Sequence, residues 1–268
     1  MRLTVDHVTS YHYDHPVRLV VQSHRLTPTT CQNQSVLDWS VQVSDGIEGG
    51  GFRDGAGDWV QAWTVRGPVS RIDVTVRGTV ETHDASGILR GNREIIPVTA
   101  WLDETAPTRP DAALRDLAAA GTGADALALA HDLSARVAGA IAYRPGVTHA
   151  HTTAAEALAL GEGVCQDQAH ALIALARLRD LPARYVSGYL FADAEGAPHE
   201  AAHAWAEIWI DELGWIGFDP ANRCCPDERY IRLGCGADAR AAAPIRGIAR
   251  GVTHEVMEIA VAVAATQQ

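Results

Sequence analysis

The chain has 268 residues, 47% of them apolar and 21% charged, a globular composition long enough for one large domain or two ordinary ones. The 33 acidic against 22 basic residues leave a net charge of −11, which argues against nucleic acid and anionic membrane as partners, because both need a basic footprint. No run approaches the roughly 18 apolar residues needed to span a bilayer, and the start lacks the charged and apolar regions of a secretory signal. With an odd set of 5 cysteines, a reducing cytoplasm is the expected location.

Residues 1 to about 90 read as β. Runs at 17–21, 37–43 and 72–76 are β-branched or alternate apolar with polar, and the breaks at 49–51 and 54–58 are rich in glycine. Short strands between polar turns point to an antiparallel sandwich. The histidines of this part, His7, His12, His15 and His24, fit strand alternation. The character changes after Pro97. A linker with Pro107 and Pro110 leads into alanine-rich helix, where Ala126, Leu129, Ala130, Leu133, Val137 and Ile141 share one face. Pro145-Gly146 ends that run, and Thr152-Thr153 offers an N-cap to a helix at 154–160. From Ala183 onward the pattern returns to β, with strands expected at 184–189, 204–210, 215–218 and about 256–263. The apolar tail at 259–265 is a strand by its length.

The sharpest local signal is GEGVCQDQAH at 161–170. Glycines precede Cys165, which opens an amphipathic helix whose inner face also carries Ala169, Leu172, Ile173 and Ala176. A thiol in the first turn meets unpaired N–H groups and the positive end of the helix dipole, which favour thiolate over thiol. The same N–H groups can hold the oxyanion of a tetrahedral intermediate. A thiolate that attacks an amide also needs an imidazole to protonate the departing amine, and the imidazole needs an orienting carboxylate. Both follow. His203 opens HAWAEIWI, a turn occupies 211–214, and GWIGFDP carries Asp219 at its end. Strands joined by so short a turn pair as a hairpin, so the start of the first lies near the end of the second. His203 and Asp219 are therefore expected at one edge, with the carboxylate on Nδ1.

The ordered segments GVCQDQAH, LPARYVSGYL, HAWAEIWI and GWIGFDPAN resemble the transglutaminase-like branch of the papain-type cysteine enzymes. The likeness is greatest to bacterial members with an N-terminal β domain. GADARAAAPIRG, with Asp238, Pro244 and Arg246, is similar to that group's C-terminal segment. The likeness is strong over about 150–250 and loose before it, through Arg25-Leu26-Thr27-Pro28. The resemblance implies an α+β protein: an antiparallel β-sandwich domain at 1–95, a linker at 96–112, and a papain-like transglutaminase core at 113–268 with helices packed on an antiparallel sheet. It implies Cys165 as nucleophile, His203 as general acid and base, and Asp219 as orienting carboxylate. It calls for no metal and no cofactor; a calcium site would need an oxygen-rich loop. A peptide or protein amide is the implied substrate, with a primary amine as acceptor where the acyl group is transferred rather than hydrolysed. Gln168 stands where an aromatic is expected, and Ala237 and Ala239 where Arg and Tyr are. These departures bear on substrate preference.

Gln166, Asp167, Tyr189 and Trp205 are the candidate substrate-binding residues. Tyr189 ends a strand expected beside the hairpin, at the cleft wall; the others have plainer readings, Gln166 and Asp167 as helix caps or loop ties, Trp205 as sheet core with Trp209 and Trp215. His149 and His151 precede the nucleophile's helix and are placed to line a cleft. Cys224, Cys225 and Cys235 lack C-x-x-C spacing and read as structural. The rival function is a catalytically idle peptide-binding or assembly module on the same fold, against which the intact Cys, His and Asp set speaks.

Overall fold

Along 2–13, Leu3, Val5, Tyr11 and Tyr13 are buried while Arg2, Thr4 and Asp6 point outward, the period of a strand with one face on a core. The computed structural model describes residues 1–191, 201–251 and 254–265. Four strands come first: β1 (Arg2–His24), β2 (Gln34–Val43), β3 (Gly46–Arg53) and β4 (Trp59–Thr82). After a 3₁₀ turn at Val98–Leu102 come α1 (Ala112–Ala119), α2 (Ala126–Ala140), β5 (Ala142–Tyr143), α3 (Ala154–Leu160), β6 (Glu162–Gly163) and α4 (Cys165–Leu178). The remainder is β7 (Ala183–Leu190), β8 (Ala202–Ile210), β9 (Gly214–Phe218), β10 (Tyr230–Gly236), β11 (Ile245–Arg250) and β12 (Glu255–Ala265). No helix among the described residues is long and apolar enough to cross a membrane.

β1 and β4 pair antiparallel along most of their length, from Arg2↔Glu81 to His24↔Gln61, with register shifts between His12 and Leu19. They form the middle of a six-stranded sheet: β2 and β3 add to β4, and β11 and β12 add to β1. β12 pairs with β1 from Leu3↔Ala265 to Tyr13↔Glu255. Residues 245–265, expected in the unit that starts at 113, thus lie in the first sheet. The physical reason is the second edge of β1, whose open N–H and C=O groups call for a partner strand.

The second sheet has the order β10-β7-β8-β9. β7 and β10 are buried along their whole lengths because both faces of this sheet are covered. Leu172 and Ile173 of α4 pack with Ala206, Ile208 and Phe218. On the other side Tyr189, Ile231 and Leu233 join Val5, Val74 and Val76 of the first sheet.

Buried ion pairs also connect the two sheets. Arg232 donates to Asp58 Oδ1 at 2.9 Å and to Glu207 Oε1 at 2.8 Å. Arg184, fully buried, donates to Glu207 Oε2 at 2.6 Å and to Glu94 Oε2 at 2.8 Å, and lies 3.9 Å from the centre of the Trp215 ring. Burial alone would raise the pKa of Glu207, but Arg232 and Arg184 outweigh it and bring it down to about 2. The segment expected as a linker at 96–112 is tied down by Arg177 of α4, which donates to Trp101 O at 2.9 Å and Thr108 Oγ1 at 2.9 Å.

Candidate active site

The approach to Cys165 is set by backbone geometry. Gly161 ends α3 at φ +73°, a left-handed turn that glycine adopts without strain. β6 then pairs with β5 through Ala142↔Glu162 and Tyr143↔Gly163. A Cβ on Gly163 would lie 2.8 Å from Asp167 Oδ2, so glycine there lets Asp167 fold back on the turn before its helix. Asp167 Oδ2 accepts from Val164 N at 2.8 Å and from Thr148 Oγ1 at 2.6 Å. Burial raises the Asp167 pKa against the pull of those two bonds. Asp167 is therefore a helix cap, fully buried, and not the substrate contact considered for it.

Cys165 is the first residue of α4 and is half-buried. The first bonds into the helix are Asp167 N and Gln168 N donating to Val164 O, so the N–H groups of Cys165 and Gln166 lie ahead of the ladder at the positive end of the dipole. Gln168, polar where an aromatic was expected, is buried and donates to Ile141 O at 2.7 Å, tying α4 to the end of α2.

The β8–β9 hairpin forms as expected, with Ala206 opposite Phe218 and Ile210 opposite Gly214. It sets Asp219 beside His203. The contact is His203 Nε2 to Asp219 Oδ2 at 2.7 Å, which corrects the expected nitrogen, Nδ1. A hairpin fixes which residues meet but not which edge of a ring turns inward. With Nε2 engaged, Nδ1 is the edge left for Cys165, whose sulfur is among the groups that raise the pKa of the ring.

Two partners of Asp219 were missed. Tyr230, at the start of β10, donates its hydroxyl to Oδ2 at 2.8 Å, and Asn222 donates Nδ2 to the same oxygen at 2.7 Å. Oδ1 accepts from the backbone of Ala221 at 3.0 Å and Asn222 at 3.3 Å. Burial would raise the Asp219 pKa, but His203 and these donors hold it below the ordinary carboxylate value. Burial likewise works to lower the His203 pKa, yet the bonds to Asp219 and Cys165 carry it up to about 10. Both partners thus favour the cationic imidazole.

The remaining candidates separate clearly. Gln166 lines a cavity of about 490 Å³ that also reaches Ala202, so the residues following Cys165 and preceding His203 border one space. His151 lines the same cavity, whereas His149 does not. Tyr189 points away, buried, with its hydroxyl 2.7 Å from His7 Nδ1 in the first sheet. It is a joint between sheets and not a cleft residue. Trp205 is 2% exposed, stacks beside His203 and meets Tyr230 edge-on. It packs beside the His203–Asp219 pair and lines a different cavity, bordered by Gly217 and Tyr230, from the one Gln166 faces. Cys224 lies 3.3 Å from the Tyr230 hydroxyl. Among the described residues no group of three or more His, Cys, Asp or Glu side chains is placed to hold a metal ion.

Comparison with known proteins agrees with this architecture. The transglutaminase-like superfamily core matches residues 115–220, and the bacterial transglutaminase-like N-terminal region matches residues 3–81. An uncharacterized protein of Mycobacterium leprae is 31% identical over 266 residues, covering 93% of this chain and 94% of that one. A protein-glutamine gamma-glutamyltransferase of Pseudomonas aeruginosa is 34% identical over 71 residues, which cover 24% of this chain and 11% of the enzyme. A solved structure from Cytophaga hutchinsonii, provisionally assigned as a cysteine protease, superposes with a TM-score of 0.73 at 21% identity, over 100% of this chain and 92% of that one. The chain belongs to the transglutaminase-like superfamily, in the bacterial branch that carries its own N-terminal β region.

Proposed function

We propose that the protein catalyses cysteine-dependent acyl transfer at an amide, as a peptide or amide hydrolase or as a protein-glutamine transglutaminase. The observation that carries this reading is the buried His203, bonded through Nε2 to Asp219 at 2.7 Å, with Cys165 opening a helix and acting on the same ring. The Cys165 sulfur, as thiolate, forms a bond to the amide carbon, and the N–H groups of Cys165 and Gln166 receive the oxyanion. His203 gives its proton to the nitrogen as the C–N bond breaks, releasing amine or ammonia and leaving a thioester. Neutral His203 then takes a proton from water or a primary amine as that nucleophile attacks the thioester, and the C–S bond breaks. Asp219 stays ionised throughout and keeps the ring oriented. No step calls for a metal or organic cofactor. The free thiol this chemistry needs suits a reducing cytoplasm, the compartment we propose.

The test is mass spectrometry of a peptide library containing glutamine, incubated with the protein with and without a primary amine. Cleavage, a gain of about 1 Da at glutamine, or amine incorporation identifies hydrolysis, deamidation or transamidation. No change in any peptide, matched by a Cys165→Ala variant, contradicts acyl transfer.

A further inference from the structure

We propose that the cavity beside Cys165 seats an apolar side chain of the acyl donor, and that the first sheet builds one of its walls. This inference rests on the acyl-transfer reading and names the substrate class. The acyl group is bonded to the sulfur in the thioester that links the two half-reactions, so the residues that select it must surround Cys165. Gln166 and Tyr185 lie on that side, and Tyr185 packs in the same cluster as Cys165.

The opposite wall comes from far away in sequence. Tyr11 of β1 and Met257 and Ile259 of β12 face the same space. Met257 and Ile259 are each 53% exposed, large apolar side chains left in water on the strand that faces Gln166 across the cavity. Such exposure beside a reactive group is what a substrate side chain would cover. Among the described residues no Asp or Glu lines the cavity. His7 adds no charge: burial brings its pKa down to about 4, and both ring nitrogens are engaged, by Tyr189 and Thr9. Arg240 is exposed at the border.

The third wall is the segment before β11. Ala239 N donates to His170 Nε2 at 3.0 Å, which fixes this segment on α4 with the Ala239 methyl toward the cavity. The resemblance led to a tyrosine at this position. The methyl leaves open the space a phenol ring would fill, and about 490 Å³ accommodates a large aliphatic or aromatic side chain.

The test uses the full chain and a series of acetyl-peptidyl chloromethyl ketones that differ only in the residue joined to the reactive group: Gly, Leu, Phe, Asp and Lys. Alkylation rates at Cys165 are read by intact mass, each divided by the iodoacetamide rate on the same protein. Leu and Phe reagents are expected to outpace Gly, Asp and Lys by about ten-fold or more, the scale on which an apolar pocket discriminates. Ile259→Glu, at an exposed position, and Ala239→Trp, which fills the space, should each bring that ratio to within about two-fold. Equal rates across the series, a faster Asp reagent, or a preference that survives both substitutions would overturn the inference and leave acyl transfer standing. Iodoacetamide that alkylates Cys165 at neutral pH no faster than free cysteine would remove acyl transfer, and this inference with it.

Discussion

β7 and β12 belong to sheets on opposite sides of one cavity and are built in opposite ways. Every residue of β7 is buried, between helices on one face and the first sheet on the other. Almost every residue of β12 is exposed, and the strand is held by its backbone pairing with β1. The difference separates two tasks. The side that holds Cys165, His203 and Asp219 is immobilised by packing and by buried ion pairs, as groups that must keep sub-ångström geometry require. The side that faces a substrate can afford open, replaceable side chains.

That contrast sets an order of expected effects. Asp219→Asn should leave the fold intact while lowering turnover by about 10³–10⁴-fold, the scale seen when a catalytic imidazole loses its orienting carboxylate. It should also move the alkaline limb of turnover. A protonated His203 is needed to expel the amine, so wild-type turnover should fall as pH rises through about 10. Without the carboxylate that raised the pKa, the fall should come at lower pH. A pH–rate profile of both proteins checks this, and an unmoved limb would take Asp219 out of the proton-transfer machinery.

Next is Arg232→Met, which removes the cation shared by Asp58 and Glu207 and leaves Glu207 with Arg184 alone. Removing one partner of a buried pair typically costs about 3–5 kcal/mol, measurable by urea unfolding. The contribution of Glu207 is in place above its ordinary value of 4.5 and is lost as pH falls toward about 2. The loss in the variant should therefore be full at neutral pH and shrink in acid.

Tyr230→Phe removes one of the donors to Asp219 Oδ2 and should slow turnover about ten-fold without unfolding the protein, since hydrogen bonds to charged groups contribute about 1.5–3 kcal/mol. Ile248→Thr, at a 78% exposed position of β11 away from the cavity, should change stability by no more than about 0.5 kcal/mol and leave turnover unaltered. A large effect there would erase the distinction drawn between the two sides.

What was legible in sequence was local. Glycine before a helix-opening cysteine, and a tight turn between two strands, each act within about twenty residues, and they brought Cys165, His203 and Asp219 into view. The missed parts are non-local. Tyr230 and Asn222 reach Asp219 from β10 and from the turn after β9, where composition marks neither. The pairing of β12 with β1 joins residues more than 240 apart in the chain, with nothing local to specify it. Tyr189 was misassigned because β7 is buried on both faces, so alternation gives no clue to which face meets the cleft.

The central claim is that His203 and Cys165 act as one unit. The most direct measurement is the rate of Cys165 alkylation by iodoacetamide from pH 5 to pH 10, in the wild type and in His203→Ala. The account predicts a reactive sulfur near neutrality in the wild type and an ordinary alkaline thiol in the variant. Identical profiles in the two proteins would contradict it.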